Sequence, residues 1–471
     1  MAGKRLKGGL LLTGANAATA LCSFLRNVII ARLISVEDFG IAATFALTVA
    51  MIEMCSNIAI DRMLVQAPDG DDENLQATAH GIQIIQGVFG GAVLFAIAAP
   101  VATVFDIPEV TWAFQLLALV PVIRGISHLD RARFQRNMSF GPVSLVEVGS
   151  QIPATLVAFP AGYFCGDYRA MLWVVLTQFV LYAFISHAVA KRRYRVAFVG
   201  PLARRALSFG GPLLLNGFLM FGIFQGDRAI VGIWFSMSEM GWFSAAFALT
   251  MAPTMMVSRV FQSFFLPELA RAQDDTEKFN NIGIVVLQLS LLGGLIVALG
   301  FAIAGPAFLE LFYGEQYLAG ASVIGILGAM QGIRLMRVGP TIISIAKAQT
   351  VAPLIANIAR TTGLAISIGA LMLGHGVIGI AIGSLIGEIL AIATALYLIV
   401  SRLSVPISGF LITSAAAVAF GLATVLGYDL IFTNHSVWRD IGLGTLITGL
   451  AAVCLLGSMR HTIRWLRRHD F

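Results

Sequence analysis

Apolar stretches, each long enough to cross the hydrocarbon core of a bilayer, dominate this chain. A helix needs about twenty residues to cover ~30 Å, and stretches of that length recur near residues 9–34, 39–63, 78–104, 109–130, 142–165 and 168–190. A second series follows near 206–235, 239–264, 282–311, 317–346, 351–373 and 376–400, with two more near 407–432 and 437–459. Backbone groups in lipid have to be satisfied within the segment, so the pattern predicts an all-α membrane protein of about 14 transmembrane helices. The composition agrees: 58% of the 471 residues are hydrophobic and 12% are charged, against roughly 25% charged in a soluble domain. The basic start is followed by an apolar stretch running to Ile34. That is longer than the about 7–15 residues of a signal-peptide core, so it is read as a retained first span.

Charge in the connections gives an orientation. Alternate connections are basic (residues 4–7, 131–136, 191–205, 334–347, Arg402 and 460–468), while those between are short and mostly acidic (Glu37 and Asp38, Asp106 and Glu109, Asp167, Glu239, Glu315). Excess Lys and Arg marks the cytoplasmic side, which places both termini there. Arg169 and Arg439 run against the pattern, and the acidic connection 69–73 falls on the predicted inner side; acids contribute little to the rule. The basic segments 191–205 and 460–468 would attract anionic membrane lipids at about 1 kcal/mol per residue, although setting topology accounts for them equally well. Trp465 beside Arg464, Arg467 and Arg468 reads as a short interfacial helix, and no nucleic-acid partner is expected.

The chain also repeats itself. Ser35-Val-Glu-Asp-Phe-Gly40, leading to Ala46-Leu47, has a counterpart in Ser236-Met-Ser-Glu-Met-Gly241, leading to Ala248-Leu249. The offset maps span 1 onto span 7 and span 2 onto span 8, and six spans, a basic linker and six spans follow in register. Tight hairpins attract acids and glycine on their own account, but the register favours duplication. The expected domains are an N-terminal lobe at 1–200 (spans 1–6), a C-terminal lobe at 201–402 (spans 7–12), and two extra spans (13 and 14) with a basic tail at 403–471. Parallel repeats of this kind give two pseudo-symmetric six-helix lobes around a central cavity.

Charged groups inside the spans carry the functional signal. Arg26, Arg62, Arg228, Arg259 and Arg360 lie in stretches that otherwise read as lipid-buried helix. A guanidinium stays charged, and holding one at membrane depth costs at least about 2.5–3.5 kcal/mol, so such residues tend to face a wet interior. Several cations with few buried acids point to an anionic cargo, and the planar fork of arginine suits pyrophosphate oxygens. Arg26 has no acid within one helical turn and is the clearest ligand candidate. Arg228 lies at a similar depth, and its neighbour Asp227 points about 100° away round the helix. Arg62 can instead snorkel to the inner interface, Arg360 can pair with Glu388, and Arg32 reads as an interfacial anchor. Glu53, Glu147, Glu388 and Asp227 are candidates for coupling to an H+ or Na+ gradient, or alternatively partners for arginines and neighbouring helices.

Uncharged groups within the spans have two readings as well. Asn57, Gln83, Gln151, Gln178, Asn216, Gln225, Gln262, Gln288 and Asn357 offer hydrogen bonds suited to sugar hydroxyls or to helix packing. GxxxG spacing at Gly379, Gly383 and Gly387 suggests a packing face, and Pro142, Pro153, Pro212, Pro253, Pro340 and Pro353 suggest kinks. Cys22, Cys55, Cys165 and Cys454 lack CxxC spacing, and no histidine pair has metal-binding i, i+4 spacing. With no nucleophile elbow, phosphate-binding loop or large soluble domain, neither catalysis nor a metal or organic cofactor is expected, and energy would come from a gradient, the membrane potential or removal of product.

Arg26-Asn-Val-Ile-Ile-Ala-Arg32-Leu with Glu-Asp-Phe-Gly40 resembles the first hairpin of the Wzx-like polysaccharide flippases, in the multidrug/oligosaccharidyl-lipid/polysaccharide exporter superfamily. Asp227-Arg-Ala-Ile-Val-Gly232, the hairpin at Gly241 and Leu266-Pro267-Glu-Leu-Ala270 are similar to that family's seventh and eighth spans. The resemblance runs to about residue 400. It implies two six-helix lobes in a V, alternating access, and an undecaprenyl-pyrophosphate-linked oligosaccharide as substrate in a bacterial inner membrane. A polysaccharide polymerase and export machinery would then act downstream. Two trailing spans are similar to those of lipid II flippases, where they line a groove for the lipid tail. Two alternatives stay open: a multidrug/cation antiporter of the same superfamily, which would need acids in its cavity, and a membrane-embedded polysaccharide polymerase or ligase, which would need a sizeable outer loop. The longest such loop, about residues 428–437, spans only about ten residues.

Overall fold

The computed structural model describes residues 2–56, 58–407, 436–459 and 462. Span 407–432, most of loop 428–437, the tail at 460–468 and Asn57 fall outside the described residues, apart from a few single positions. Among those described there is no strand. Eleven helices among the described residues are long and apolar enough to cross a membrane, or thirteen if each of two bent pairs counts as one span. This is a multi-pass membrane protein.

The chain divides into two compact units, Met1–Gly241 and Trp242–Phe471. The first holds α1 (Ala2–Leu33), α2 (Val36–Ser56), the short α3 (Ile60–Gln66), α4 (Glu73–Val104), α5 (Thr111–Leu117), α6 (Leu119–Gly125), α7 (Asp130–Arg136), α8 (Phe140–Cys165), α9 (Arg169–Ala188) and α10 (Gly200–Trp234). The division falls inside α11 (Met237–Arg271). The second unit continues with α12 (Thr276–Tyr313), α13 (Ala321–Met336), α14 (Val338–Ala346), α15 (Val351–Met372), α16 (Gly376–Leu403) and α17 (Val437–Ser458). There Leu292, Leu295, Leu299 and Ile303 of α12 pack with Ala451 and Leu455 of α17. Phe89, Leu156, Phe164 and Phe184 stay exposed, as side chains facing hydrocarbon do.

Three expected spans are broken. Span 39–63 ends at Ser56, and the chain passes through the left-handed Ala59 (φ 52°) before α3. Spans 109–130 and 317–346 each divide into two helices three residues before a proline, Pro121 and Pro340 respectively. Proline cannot donate to the carbonyl four residues back. For Pro340 that carbonyl belongs to Met336, and the Ser290 hydroxyl donates to it at 3.1 Å. A freed backbone group at membrane depth is thereby satisfied by a neighbouring helix.

The repeated hairpin has a local physical cause. Ser35 and Ser236 are N-caps: the Asp38 amide donates to the Ser35 hydroxyl at 3.0 Å, and the Glu239 amide to the Ser236 hydroxyl at 3.2 Å. The Glu239 carboxylate also accepts the Ser236 backbone N–H at 3.0 Å, closing a capping box. The acid before each glycine is thus the third helical residue reaching back. The glycines then meet reciprocally within the first unit. A Cβ on Gly40 would collide with the Met237 carbonyl, and one on Gly241 with the Val36 carbonyl. Gly40→Val and Gly241→Val are therefore each expected to destabilise by about 1–3 kcal/mol through overpacking. Gly141→Ala, where the new methyl meets nothing within 4 Å, should be neutral or slightly stabilising. Melting temperatures in detergent check both expectations, and equal behaviour of all three variants would rule out the tight contact.

Charge at one end of the first unit resolves the acidic connection at 69–73. Arg205 grips Asp69 with both Nη groups (2.7 and 2.8 Å), Arg136 lies 3.7 Å from Asp71, and Arg195 lies 3.5 Å from Glu73. The Arg205 hydrogen bonds hold the Asp69 carboxyl below the usual carboxylate range. These acids sit among the basic segments 131–136 and 191–205, on whose side the sequence places them.

Candidate functional site

Arg26 lies in α1, whose close approach to α8 is set by Gly162 against Leu33 and by the Thr155 hydroxyl donating to the Cys22 carbonyl at 3.2 Å. Its guanidinium Nη1 donates to Gln151 Oε1 of α8 at 3.3 Å and to Gln178 Oε1 of α9 at 2.5 Å. Its Nε is buried without a hydrogen-bond partner among the described residues, and no carboxylate there lies within 4 Å of it. Two neutral amides therefore orient the cation without cancelling its charge. Such an arrangement can accept an anion.

The second repeat offers a partial echo. Arg26 stands fourteen residues before Gly40 and Arg228 thirteen before Gly241. Arg228 donates through Nη2 to the Gln225 side-chain oxygen, and its neighbour Asp227 is buried. Arg62 and Arg259 are exposed and make no ion pair among the described residues.

Other arginines, half-buried in the first unit and largely buried in the second, are committed to acids. In the first unit Arg124 pairs with Glu53, and Arg131 joins Glu147 at 2.8 Å to Asp61 at 3.3 Å. Glu53, Asp61, Arg124 and Arg131 line a cavity of about 90 Å³ together with Gln83 and Tyr182, room for several waters but not for a sugar. In the second unit three guanidinium groups converge on Glu388 of α16. Arg334 Nε of α13 and Arg360 Nε of α15 lie 2.7 and 2.5 Å from Oε1, and Arg337 Nε lies 3.3 Å from Oε2. Arg360 and Glu388 thus form the pair that the sequence offered as the plainer reading. Arg334 and Arg337, expected in a basic connection, stand instead at the break between α13 and α14.

The amides serve mainly as internal partners. Gln83 Nε2 donates to the carbonyls of Arg124 (2.8 Å), Gly125 and Ser127 (both 3.1 Å), capping the end of α6. Asn357 accepts from Arg337 at 2.8 Å, and Gln288 accepts from Thr462 at 2.8 Å. Asn216 and Gln262 are exposed. Sequence reasoning missed a further cluster: the rings of His80, His128 and His187 gather round Tyr194, with centroids 4.4 to 5.5 Å from it. Spacing along one helix could not reveal it, because the three histidines come from α4, the α6–α7 turn and α9.

Comparison with known proteins agrees with this architecture. Residues 29–322 match the family described as "Polysaccharide biosynthesis protein". The chain is similar to the lipopolysaccharide biosynthesis protein WzxC of Escherichia coli (strain K12), at 22% identity over 378 residues that cover 77% of this chain and 74% of the relative. It is also similar to the succinoglycan biosynthesis transport protein ExoT of Rhizobium meliloti (strain 1021), at 25% identity over 325 residues, 66% of this chain and 63% of the relative. In fold it is similar to the lipid II flippase MurJ in an inward closed conformation, with a TM-score of 0.71 and 14% identity, covering 95% of this chain and 98% of that one. An inward-facing MATE family multidrug transporter of the MOP superfamily superposes with a TM-score of 0.62 and 14% identity, over 80% of this chain and 93% of that one.

Proposed function

The chain belongs to the polysaccharide biosynthesis protein family, and on that premise we propose that it is a flippase. Its cargo in this reading is an undecaprenyl-pyrophosphate-linked oligosaccharide unit, carried across a bacterial inner membrane for export of an exopolysaccharide or lipopolysaccharide. The observation that carries the reading is Arg26, a membrane-helix cation held by two glutamine oxygens and without a carboxylate among the described residues. The diphosphate docks there, and Arg62, Arg228 and Arg259 are proposed as further contacts along its path, while the polyprenyl tail stays in lipid. Arg360, bound to Glu388, is proposed to act by shaping the second unit. The names of the relatives, lipopolysaccharide biosynthesis and succinoglycan transport, support this cargo class. Both termini face the cytoplasm in this reading, with the polymerase and export machinery acting on the delivered unit, and no bond of the cargo is made or broken.

Coupling to an H+ or Na+ gradient is proposed at Glu53 and at the Asp61–Arg131–Glu147 group, because the small cavity opens onto Glu53, Asp61 and Arg131. Glu388 is instead fully buried under three guanidinium groups. A cation antiporter would need bare acids, and Glu53, Asp61 and Glu147 are each engaged by arginine, which favours an anionic cargo. The test is translocation of a fluorescent undecaprenyl-diphosphate oligosaccharide by the purified protein in proteoliposomes, read by quencher protection. Protection above protein-free vesicles is expected. Transport of cationic dyes with no movement of the lipid-linked sugar would overturn the reading.

A further inference from the structure

The segment between α9 and α10 has no regular structure over residues 193–199, yet it is fastened along its length. The buried Asp130 carboxylate accepts the backbone N–H of Lys191 at 2.7 Å and of Arg192 at 3.3 Å. His128 accepts the Asp130 amide through Nδ1 at 3.0 Å, so its Nε2 carries the proton donated to the Arg192 carbonyl at 3.1 Å. By the same logic His80 accepts the Leu129 amide through Nε2 at 3.1 Å and donates through Nδ1 to the Arg195 carbonyl at 3.0 Å. The Ala197 amide then donates to the Ala77 carbonyl at 3.1 Å.

Because an extended chain points successive side chains to opposite sides, the fastening sorts them. Arg192 and Tyr194 turn inward, Arg192 donating to Gln76 at 2.9 Å and to the Asp71 carbonyl at 2.7 Å. Lys191, Arg193 and Arg195 are exposed on the rim of a concavity of about 500 Å³. The one acid in its lining is Glu73, whose contact with Arg195 is a solvent-exposed pair at 3.5 Å, worth little by itself. Directly after the cations come exposed Val196, Phe198 and Val199. Cations beside exposed apolar side chains fit the boundary between headgroups and acyl chains.

We propose that this strap is a binding site for an anionic phospholipid of the adjacent leaflet. The headgroup phosphate sits among Lys191, Arg193 and Arg195, and the acyl chains lie along Val196, Phe198 and Val199. The fixed backbone spares the site the entropic cost of ordering a loop, which distinguishes it from a merely basic connection. The inference is independent of what the protein transports.

Native mass spectrometry of the purified full-length protein, titrated with phosphatidylglycerol and separately with phosphatidylcholine, tests it. The wild type is expected to retain phosphatidylglycerol selectively. The Lys191→Gln/Arg193→Gln/Arg195→Gln variant should lose that retention by on the order of a hundredfold, with an unchanged melting temperature in lipid-free detergent. If the triple variant is unstable, Arg193→Gln alone should lose about fivefold. Unchanged retention in the folded variant would overturn the proposal, as would displacement of the lipid by millimolar inorganic pyrophosphate, which would make the site a receptor for soluble phosphate. Competition by the undecaprenyl-linked diphosphate alone would also overturn it, reassigning the strap to the transported cargo.

Discussion

Replacing Glu388 with glutamine is expected to be the most damaging single substitution in the second unit. One fully buried carboxylate there serves three guanidinium groups, two from the end of α13 and one from α15, at 2.5, 2.7 and 3.3 Å. Removing one partner of a buried ion pair costs about 3–5 kcal/mol, because the charge left behind stays desolvated. Close packing of α15 on α16 holds the pair in place. A Cβ on Gly387 would strike the Arg360 carbonyl, and one on Gly383 would strike Ser367, so two of the three GxxxG glycines form the surface that brings Arg360 to Glu388. Glu388→Gln should therefore lower the melting temperature and speed aggregation in detergent, and Glu388→Asp, one methylene short, should fall between. Adding Arg360→Met to Glu388→Gln should recover part of the loss, since one stranded cation is removed. A Glu388→Gln protein as stable as the wild type would mean that these arginines do not depend on this carboxylate.

The extent to which this was legible in the sequence follows from the range of the interactions. Hydropathy is local, and it located the helices that span the bilayer. Capping is local too, so the repeated Ser-x-x-acid before Gly40 and Gly241 could be found by eye, although the reciprocal collision of those glycines with the opposite hairpin could not. Pro340 marked its helix break in advance. Pro121 did the same work unnoticed, because it sits in a stretch that reads as uninterrupted. Charge pairing is non-local. Arg334 and Arg337 looked like topology-setting cations, since nothing in the sequence tells that α13 stops at Met336 with both beside Glu388. Asp61 meets Arg131 only through the placement of α7, seventy residues along the chain. The sequence offers the glutamines as sugar ligands or packing groups, and in the structure Gln151 and Gln178 bond across helices to Arg26 as its neutral cradle.

That cradle yields the sharpest functional expectation. Arg26→Ala should abolish translocation while leaving the protein folded, because no carboxylate among the described residues is stranded by the change. Gln151 and Gln178 lose only one shared donor. Hydrogen bonds to charged groups are worth about 1.5–3 kcal/mol, so even one lost diphosphate contact corresponds to roughly ten- to hundredfold in transport. Arg26→Lys should retain part of the activity, since it keeps the charge but gives up the planar fork. Gln178→Glu separates charge from mere presence of the guanidinium. It leaves Arg26 in place and sets a carboxylate where the amide oxygen now lies 2.5 Å from Nη1. The resulting ion pair should hold the fold at least as firmly and still block transport, because the positive charge is then spent inside the protein. Export measured as surface glycan in a strain lacking the native copy, alongside protein abundance in the membrane, reads both variants. Wild-type glycan from a well-expressed Gln178→Glu protein would show that an unneutralised charge at Arg26 is not what the cargo requires.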